Sequence, residues 1–557
     1  MNTSAQSAKL LVTTAIAYAN GAPHAGHLYE SILADALRRI HILAGKTVKL
    51  LTGTDEYGKK IQQTAAAALC TPIDLCNKNA AIFAEVYSAL MVKYDYFIRT
   101  TQEIHTKTVR SIIADIMKTH PGAIYLTEYT GYYSIREERF ISPFEAESTK
   151  FCDPVTGTKY EIMSEPTYNF KLSKFRCAVD DIFGQHDPHE QHNQYDHSNH
   201  SNNCLISPKS FATEILERSA NLEDLSITRT SFDWGIPFGN TIRLNDDNVI
   251  DDKSTNNTSA EPAQSNHVVY VWFDALINYI TGAKILFGDI SDNTYMNVGA
   301  DSYLHVIGRD ILWFHAVIYP CILNAAGLWK DIKNNFKIIV HGHVLDESGR
   351  KMSKSVGNVI TSETLLQKCP IAAIRFYLLS KAVGGDIPLS IVGVNTLYND
   401  VFVKDFGNLF QRIVGITRPI QAQVNAILAQ LGQENSSGAI KSLNAVINDA
   451  AEDPSILIRY AMGIVHKCNK TIAEMMPWKM GVDHRAEFIV QIAPDFAAIL
   501  CLFWVVTDQV IDLLQYLGWH GLLTSGRPDI GLIMPANLQF KIVDGQTNII
   551  AFHRAFI

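Results

Sequence analysis

The stretch that decides the fold runs Leu10-Leu11-Val12-Thr13-Thr14, then Asn20-Gly21-Ala22-Pro23-His24-Ala25-Gly26-His27, then Val48-Lys49-Leu50-Leu51 up to Gly53-Thr54-Asp55. The first five residues are apolar or β-branched and read as a buried strand. Asn20 to Pro23 is turn chemistry. From His24 to Ala44 the apolar residues Leu28, Ile32, Leu33, Ala36, Leu37 and Ile40 recur at helical spacing, and Gly45 is placed to close the helix. Val48–Leu51 reads as a second strand. Strand, helix and strand in about 45 residues is the unit of a doubly wound parallel sheet, so the expected class is α/β and Rossmann-like.

Outward from that unit the pattern changes twice. Gly122 to Phe175 holds short aromatic strands, Tyr129–Ile135 and Tyr168–Leu172, around the turn Asp153-Pro154-Val155-Thr156-Gly157, and reads as a β-containing insertion. Two polar segments follow, Asp180–Ser207 with His186, His189, His192, His197 and His200, and Asn245–Asn266. Both are mostly polar with few apolar residues to bury, so both read as solvated loops. The α/β pattern resumes near Val268 and runs to about Ser390, and from Asn395 to about Leu517 the chain is helical. The expected division is a catalytic first half at 1–121, a connective insertion at 122–225, a catalytic second half at 226–390 and an all-α domain at 391–557.

At 557 residues the chain exceeds the roughly 250–300 residues that one core supports. No apolar run approaches the roughly 20 residues of a membrane span, and Met1 to Lys9 has no charged leader. The expectation is a cytoplasmic protein without a membrane partner, with a mitochondrial one as the alternative. The nine cysteines are scattered, with no C-x-x-C pair, as in a reducing compartment. A net charge of −8 argues against nonspecific nucleic-acid binding but leaves room for a local basic track.

Two motifs carry the chemistry. His24-Ala25-Gly26-His27 opens a helix after a strand, where free N–H groups and the positive dipole end receive polyphosphate. Its histidines lie three apart on one face and can donate to phosphate oxygens. Lys351-Met352-Ser353-Lys354-Ser355 follows Gly342, Gly349 and Arg350 in a loop and supplies cations. Lys354 is placed to neutralise charge developing on an α-phosphate and pyrophosphate.

The pair of motifs resembles those of class I aminoacyl-tRNA synthetases. Five further stretches resemble methionyl-tRNA synthetases in particular: Ala15–Gly21, Leu51–Gly58, Tyr270–Ala275, His305–Asp310 with Phe314-His315, and Ser231–Pro237. The resemblance implies ATP-dependent ligation of L-methionine to tRNA(Met) through a methionyl-adenylate, with Mg-ATP as substrate. It implies catalytic roles for His24, His27, Lys351 and Lys354. ATP would meet His24, His27, Gly308, Asp310, His343, Val344 and Lys354. Asp55 would hold the substrate ammonium, and Ile16, Tyr18, Trp272, Ala275, Tyr279, Phe314 and His315 would surround the thioether. Aromatic rings suit a polarizable sulfur, and a histidine or tyrosine proton could point at it. Asn408, Arg412 and Trp478 would read anticodon bases by stacking and hydrogen bonding.

The chain departs from the family in several places. Ala25 stands where Leu or Ile is usual, Ala17 replaces a proline or tyrosine, and Leu276 replaces a common proline. Many relatives carry zinc knuckles in the insertion, built from paired cysteines. Here Cys152, Cys177 and Cys204 fall in it, well apart and without a C-x-x-C pair, so no structural zinc is expected. The chain ends soon after the helical part, so a monomer is expected. Three rivals share parts of the pattern: a class I synthetase for another amino acid, a small-molecule adenylate-forming enzyme, and a non-catalytic tRNA-binding paralogue. The short insertion argues against the first, the helical domain against the second, and the intact His24, His27, Asp55 and Lys354 against the third.

Overall fold

The computed structural model describes residues 7–135, 139–141, 143–154, 156–184, 204–238, 267–288, 295–296, 298–352, 357–431, 437–525, 527–533 and 537–542. The five-histidine segment, the polar stretch Asn245–Asn266, and Ser353, Lys354 and Ser355 lie outside the described residues.

Strands β1 (Lys9–Thr14), β2 (Thr47–Asp55), β3 (Tyr96–Arg99), β4 (Ser302–Gly308) and β5 (Phe336–His341) form a parallel sheet in the order β3-β2-β1-β4-β5. Ala17–Tyr18 adds to the end of β2, and Ile206–Ser207 adds to β5. The chain therefore re-enters the central sheet inside the span 122–225 that reads as insertion. The strand order reverses between β1 and β4, whose register runs from Leu10↔Ser302 to Thr14↔Val306. A ligand crevice opens at the carboxyl ends of the strands at such a reversal.

Alternation along each strand divides the apolar residues between two cores. Leu10, Val12 and Leu50 face a core shared with helix α1 (Ala25–Leu43) and the C-terminal helices. Leu11 and Leu51 face a second core, with helix α2 (Val271–Phe287) and the insertion. Both faces are covered, as a parallel sheet requires. β2 is longer than the four residues the sequence suggests. Gly53 lets it continue, because a Cβ there would collide with the Ile98 carbonyl of β3.

The insertion is a four-stranded antiparallel sheet. Its longest pair, Ile124–Ser134 with Glu161–Phe170, runs in register from Ile124↔Phe170 to Tyr133↔Glu161. From Ile391 onward helices dominate, including α3 (Pro454–Met475) and α4 (Val482–Phe503). A short antiparallel pair, Leu523–Thr524 with Arg527–Pro528, departs from the all-α expectation. Helix α4 corrects another: by length and composition it is apolar enough to cross a membrane. Asp483, Arg485, Glu487 and Asp495 interrupt its apolar run, which hides the stretch from a search for unbroken runs. Its face from Phe488 to Phe503 is buried against the other helices of the first core.

Candidate active site

The turn after β1 places two histidines at the start of α1. His24 is the N-cap residue, with extended backbone. Its Nδ1 accepts from Gly26 N at 3.1 Å, and His27 Nδ1 accepts from His24 N at 3.3 Å. The imidazoles thus form a reciprocal capping box and satisfy backbone donors at the helix start. With Nδ1 accepting, each neutral ring carries its proton on Nε2. The rings stack at 3.8 Å between centroids. Burial, together with the neighbouring His24 and His341, holds the pKa of His27 well below the ordinary histidine value. The pair is suited to act as neutral donors.

A second cluster lies beside the first. Trp272, in the first turn of α2, stacks on Phe314 with centroids 3.7 Å apart and planes 8° apart. One turn along α2 from the buried Ala275, Tyr279 Oη lies 2.7 Å from His315 Nε2. His315 Nδ1 lies 3.0 Å from the Ile311 carbonyl oxygen, which can only accept. The proton therefore sits on Nδ1, and the tyrosine donates to Nε2. Burial depresses His315 to about 4. His305 on β4 packs edge-on to Tyr279 at 4.4 Å and meets Thr13 Oγ1 of β1 at 2.9 Å, which ties the cluster to the strand reversal. Tyr18 and Asp55 are register partners, and Ile16 lies half-buried just before them. For Tyr279 and His315, the expectation that a proton points at sulfur is not met in this geometry. Both protons of the Tyr279–His315 pair are committed to partners within the chain.

The polar residues gather across β4 and β5. Gly308 ends β4, and a Cβ there would crowd Asp310 Oδ1 at 2.7 Å, so glycine lets that carboxylate fold over the strand end. His343 N donates to Asp386 at 2.8 Å, and Val344 pairs with Ile387. Burial first and Lys351 second lower the pKa of His343, which places Lys351 near it. Leu345 bridges Lys351, and Asp346 accepts from Ser348 N, Arg350 N and Asn358 Nδ2, each at 2.9 Å. Asp346 thus ties the two feet of the lysine loop, and those bonds, Asn358 foremost, hold its pKa at about 2. Downstream of the lysine loop, Thr361 forms a bridge with His24.

In the helical domain, Arg412, Gly415, Ile416, Trp478 and Arg485 line a cavity of about 310 Å³. Trp478 is 52 % exposed. Arg485 holds it out by donating to the Pro477 and Met480 carbonyls, both at 3.0 Å. Asn408, exposed one turn before Arg412, is outside this lining.

Sequence reading missed several members of these clusters. Glu30 and His341 meet at 3.1 Å beneath α1. Burial raises Glu30; it opposes charge on His341 as well, but the carboxylate outweighs it and raises that pKa too. Glu56 is fully buried beside Asp55, with its carboxylate held by Thr54, Arg99 and Thr101 and its carbonyl by the Trp234 indole. The polar Asp-Glu pair ending an apolar strand was the available signal for Glu56. Among the described residues no group of three or more His, Cys, Asp or Glu is placed to hold a metal ion.

Comparisons with known proteins agree with the geometry. The family model described as tRNA synthetases class I (M) matches residues 10–414. The chain is 37% identical over 410 residues to the methionine–tRNA ligase of Mycobacterium leprae, covering 72% of this chain and 67% of that one. It is 32% identical to the ligase of Brucella suis biovar 1, covering 85% and 84%. The crystal structure of Mycobacterium tuberculosis methionyl-tRNA synthetase in complex with methionyl-adenylate superposes with a TM-score of 0.73 at 30% identity, covering 92% of this chain and 94% of that one.

Proposed function

The chain belongs to the class I tRNA synthetases of the methionine group, and on that premise we propose that it ligates L-methionine to tRNA(Met) at the expense of ATP. One observation carries the reading. A pair of neutral imidazoles capping α1 and a packed aromatic cluster around Tyr279 and His315 adjoin the same strand reversal.

In the first step a methionine carboxylate oxygen attacks the α-phosphorus of ATP. One O–P bond forms, the bond to the β-phosphate oxygen breaks, and pyrophosphate leaves with that electron pair. In the second step the 2′-hydroxyl of the terminal tRNA ribose attacks the aminoacyl carbonyl, and AMP leaves. Neither step needs a protein nucleophile, so the chain supplies position and charge. His24 and His27 donate from Nε2 to phosphate oxygens at the positive end of α1. Lys351 and Lys354 offset negative charge growing on the leaving pyrophosphate, with Mg2+ as ATP's companion ion. Adenine lies against His343 and Val344, and the ribose near Gly308 and Asp310.

Methionine enters with its ammonium at Asp55 and its side chain among Ile16, Tyr18, Trp272, Ala275, Tyr279, Phe314 and His315. The aromatic walls favour sulfur by roughly 0.3–1.5 kcal/mol per contact. The tRNA anticodon stacks on Trp478, with Arg412 beside it and Asn408 one helical turn away. Incubation with labelled methionine, ATP and a tRNA(Met) transcript tests the reading. It predicts label in the ester-linked tRNA; label in adenylate alone would remove tRNA from the proposal.

A further inference from the structure

Helix α1 carries its histidines at one end and a buried charge cluster toward the other. Asp35, Arg39 and Arg375 are fully buried. Arg39 Nε lies 2.8 Å from Asp35 Oδ2, and Arg375 Nη2 lies 2.7 Å from the same oxygen. Arg39 Nη1 also reaches Asp508 Oδ1 at 2.7 Å, and Lys93 reaches the other Asp508 oxygen at 2.7 Å.

Further guanidinium protons go to main-chain carbonyls. Arg39 donates to Trp504 at 2.8 Å and to Met91 at 3.0 Å. Arg375 donates to Leu90, Val505 and Val506. Leu90 and Met91 directly follow the helix Pro72–Ala89, and Trp504 to Val506 directly follow α4. Leu90 and Trp504 are the C-cap residues, where carbonyls lack helical partners at the negative end of the dipole, and Met91, Val505 and Val506 come just beyond. Two arginines thus cap two helix C-termini, one on each side of the junction between the nucleotide-binding half and the helical domain.

One buried and one partly exposed carboxylate against two buried guanidiniums give little net stability over an apolar core, because desolvation offsets the attraction. What such a cluster offers is a single geometry. At 1.5 Å per residue, Arg39 lies about 22 Å along α1 from His24, so the same rigid rod joins the junction to the active site.

We propose that Arg39 and Arg375 are positioning residues for tRNA charging: they lock the helical domain to α1 in one register. A tRNA seated at the Arg412–Trp478–Arg485 cavity then presents its 3′ end to the His24–His27 end of that helix. The proposal rests on the function proposed above.

Asp508→Asn tests it, since this carboxylate is partly exposed and its loss leaves Asp35 between the arginines. Methionine-dependent ATP–pyrophosphate exchange without tRNA is measured beside charging of tRNA(Met) and of the same tRNA with an altered anticodon. Exchange is expected to stay within about twofold, and cognate charging to fall about tenfold, a loss of the size seen for coupling residues. The altered tRNA should lose much less, so that discrimination between anticodons shrinks. Equal losses in exchange and charging, or an unmoved ratio between the two tRNAs, would make the cluster structural and overturn the proposal. Lys93→Ala, which removes an exposed partner of Asp508, should shift the ratio in the same direction and serves if Asp508→Asn melts below assay temperature. Absence of exchange in the unmodified protein would overturn the functional reading and this proposal with it, whereas exchange with an unmoved ratio overturns this proposal alone.

Discussion

Tyr279 donates to His315 across 2.7 Å, and His315 Nδ1 donates in turn to the Ile311 carbonyl, so this buried polar pair is satisfied within the chain. The pair therefore offers a ligand side chain aromatic surface and an oxygen lone pair, with its own protons already placed. Tyr279→Phe strips the donor from a buried nitrogen, at a cost of about 1–3 kcal/mol. The KM for methionine in ATP–pyrophosphate exchange should rise about tenfold while the KM for ATP stays level. Equal rises in both would place Tyr279 outside the amino-acid pocket.

Acid should destabilise the protein through the same residue. The pKa of His315 falls from 6.5 to about 4 on burial. A depressed pKa means the unfolded chain binds the proton first. The stabilisation is complete above pH 6.5 and is lost as pH falls toward 4, on the order of 3 kcal/mol at this site. His105, depressed to about 3, acts in the same direction. Thermal midpoints measured from pH 8 to pH 4 should decline below 6.5, and His315→Gln should flatten the decline. A flat profile in the unmodified protein would mean that the buried imidazoles are not held neutral.

The helix start acts in the chemical step. His27→Ala removes both an Nε2 donor and half of the capping box. Activation kcat should fall by roughly a hundredfold, with melting lowered by only the about 1 kcal/mol of a lost cap. Lys354→Ala should lower kcat for activation by orders of magnitude with the fold intact. An activity within a few-fold of the unmodified protein would reject either role.

Much of the central unit is legible in sequence because its signals are local. Leu28 to Ile40 announce one buried helix face, and Gly45, at φ 83°, sits just past the helix end as an unbranched residue should. The unread features depend on residues far apart. Arg39 and Arg375 resemble solvated charges until the chain brings them together beneath α4. Phe314–Ile318 is a π-helical turn, an irregularity with no sequence period, and it places His315 against Tyr279. Arg485 is a plain helix arginine until its bonds to the Pro477–Met480 turn show that it props up Trp478.

That prop yields a prediction of its own. Trp478→Ala and Arg485→Ala should both weaken tRNA charging, by roughly 1–3 kcal/mol for the lost stacking surface, and spare tRNA-free activation. Gel-shift titration with tRNA(Met) beside exchange kinetics separates the two effects. Equal loss of charging and activation would mean that the cavity is structural.

The most direct test is ATP–pyrophosphate exchange by the purified protein, without tRNA, across the twenty amino acids. Exchange with methionine, and with no other amino acid to a comparable degree, is the predicted result. Exchange led by a different amino acid would contradict the assignment of the Trp272–Phe314 and Tyr279–His315 pocket, and no exchange from folded protein would contradict the activation chemistry itself.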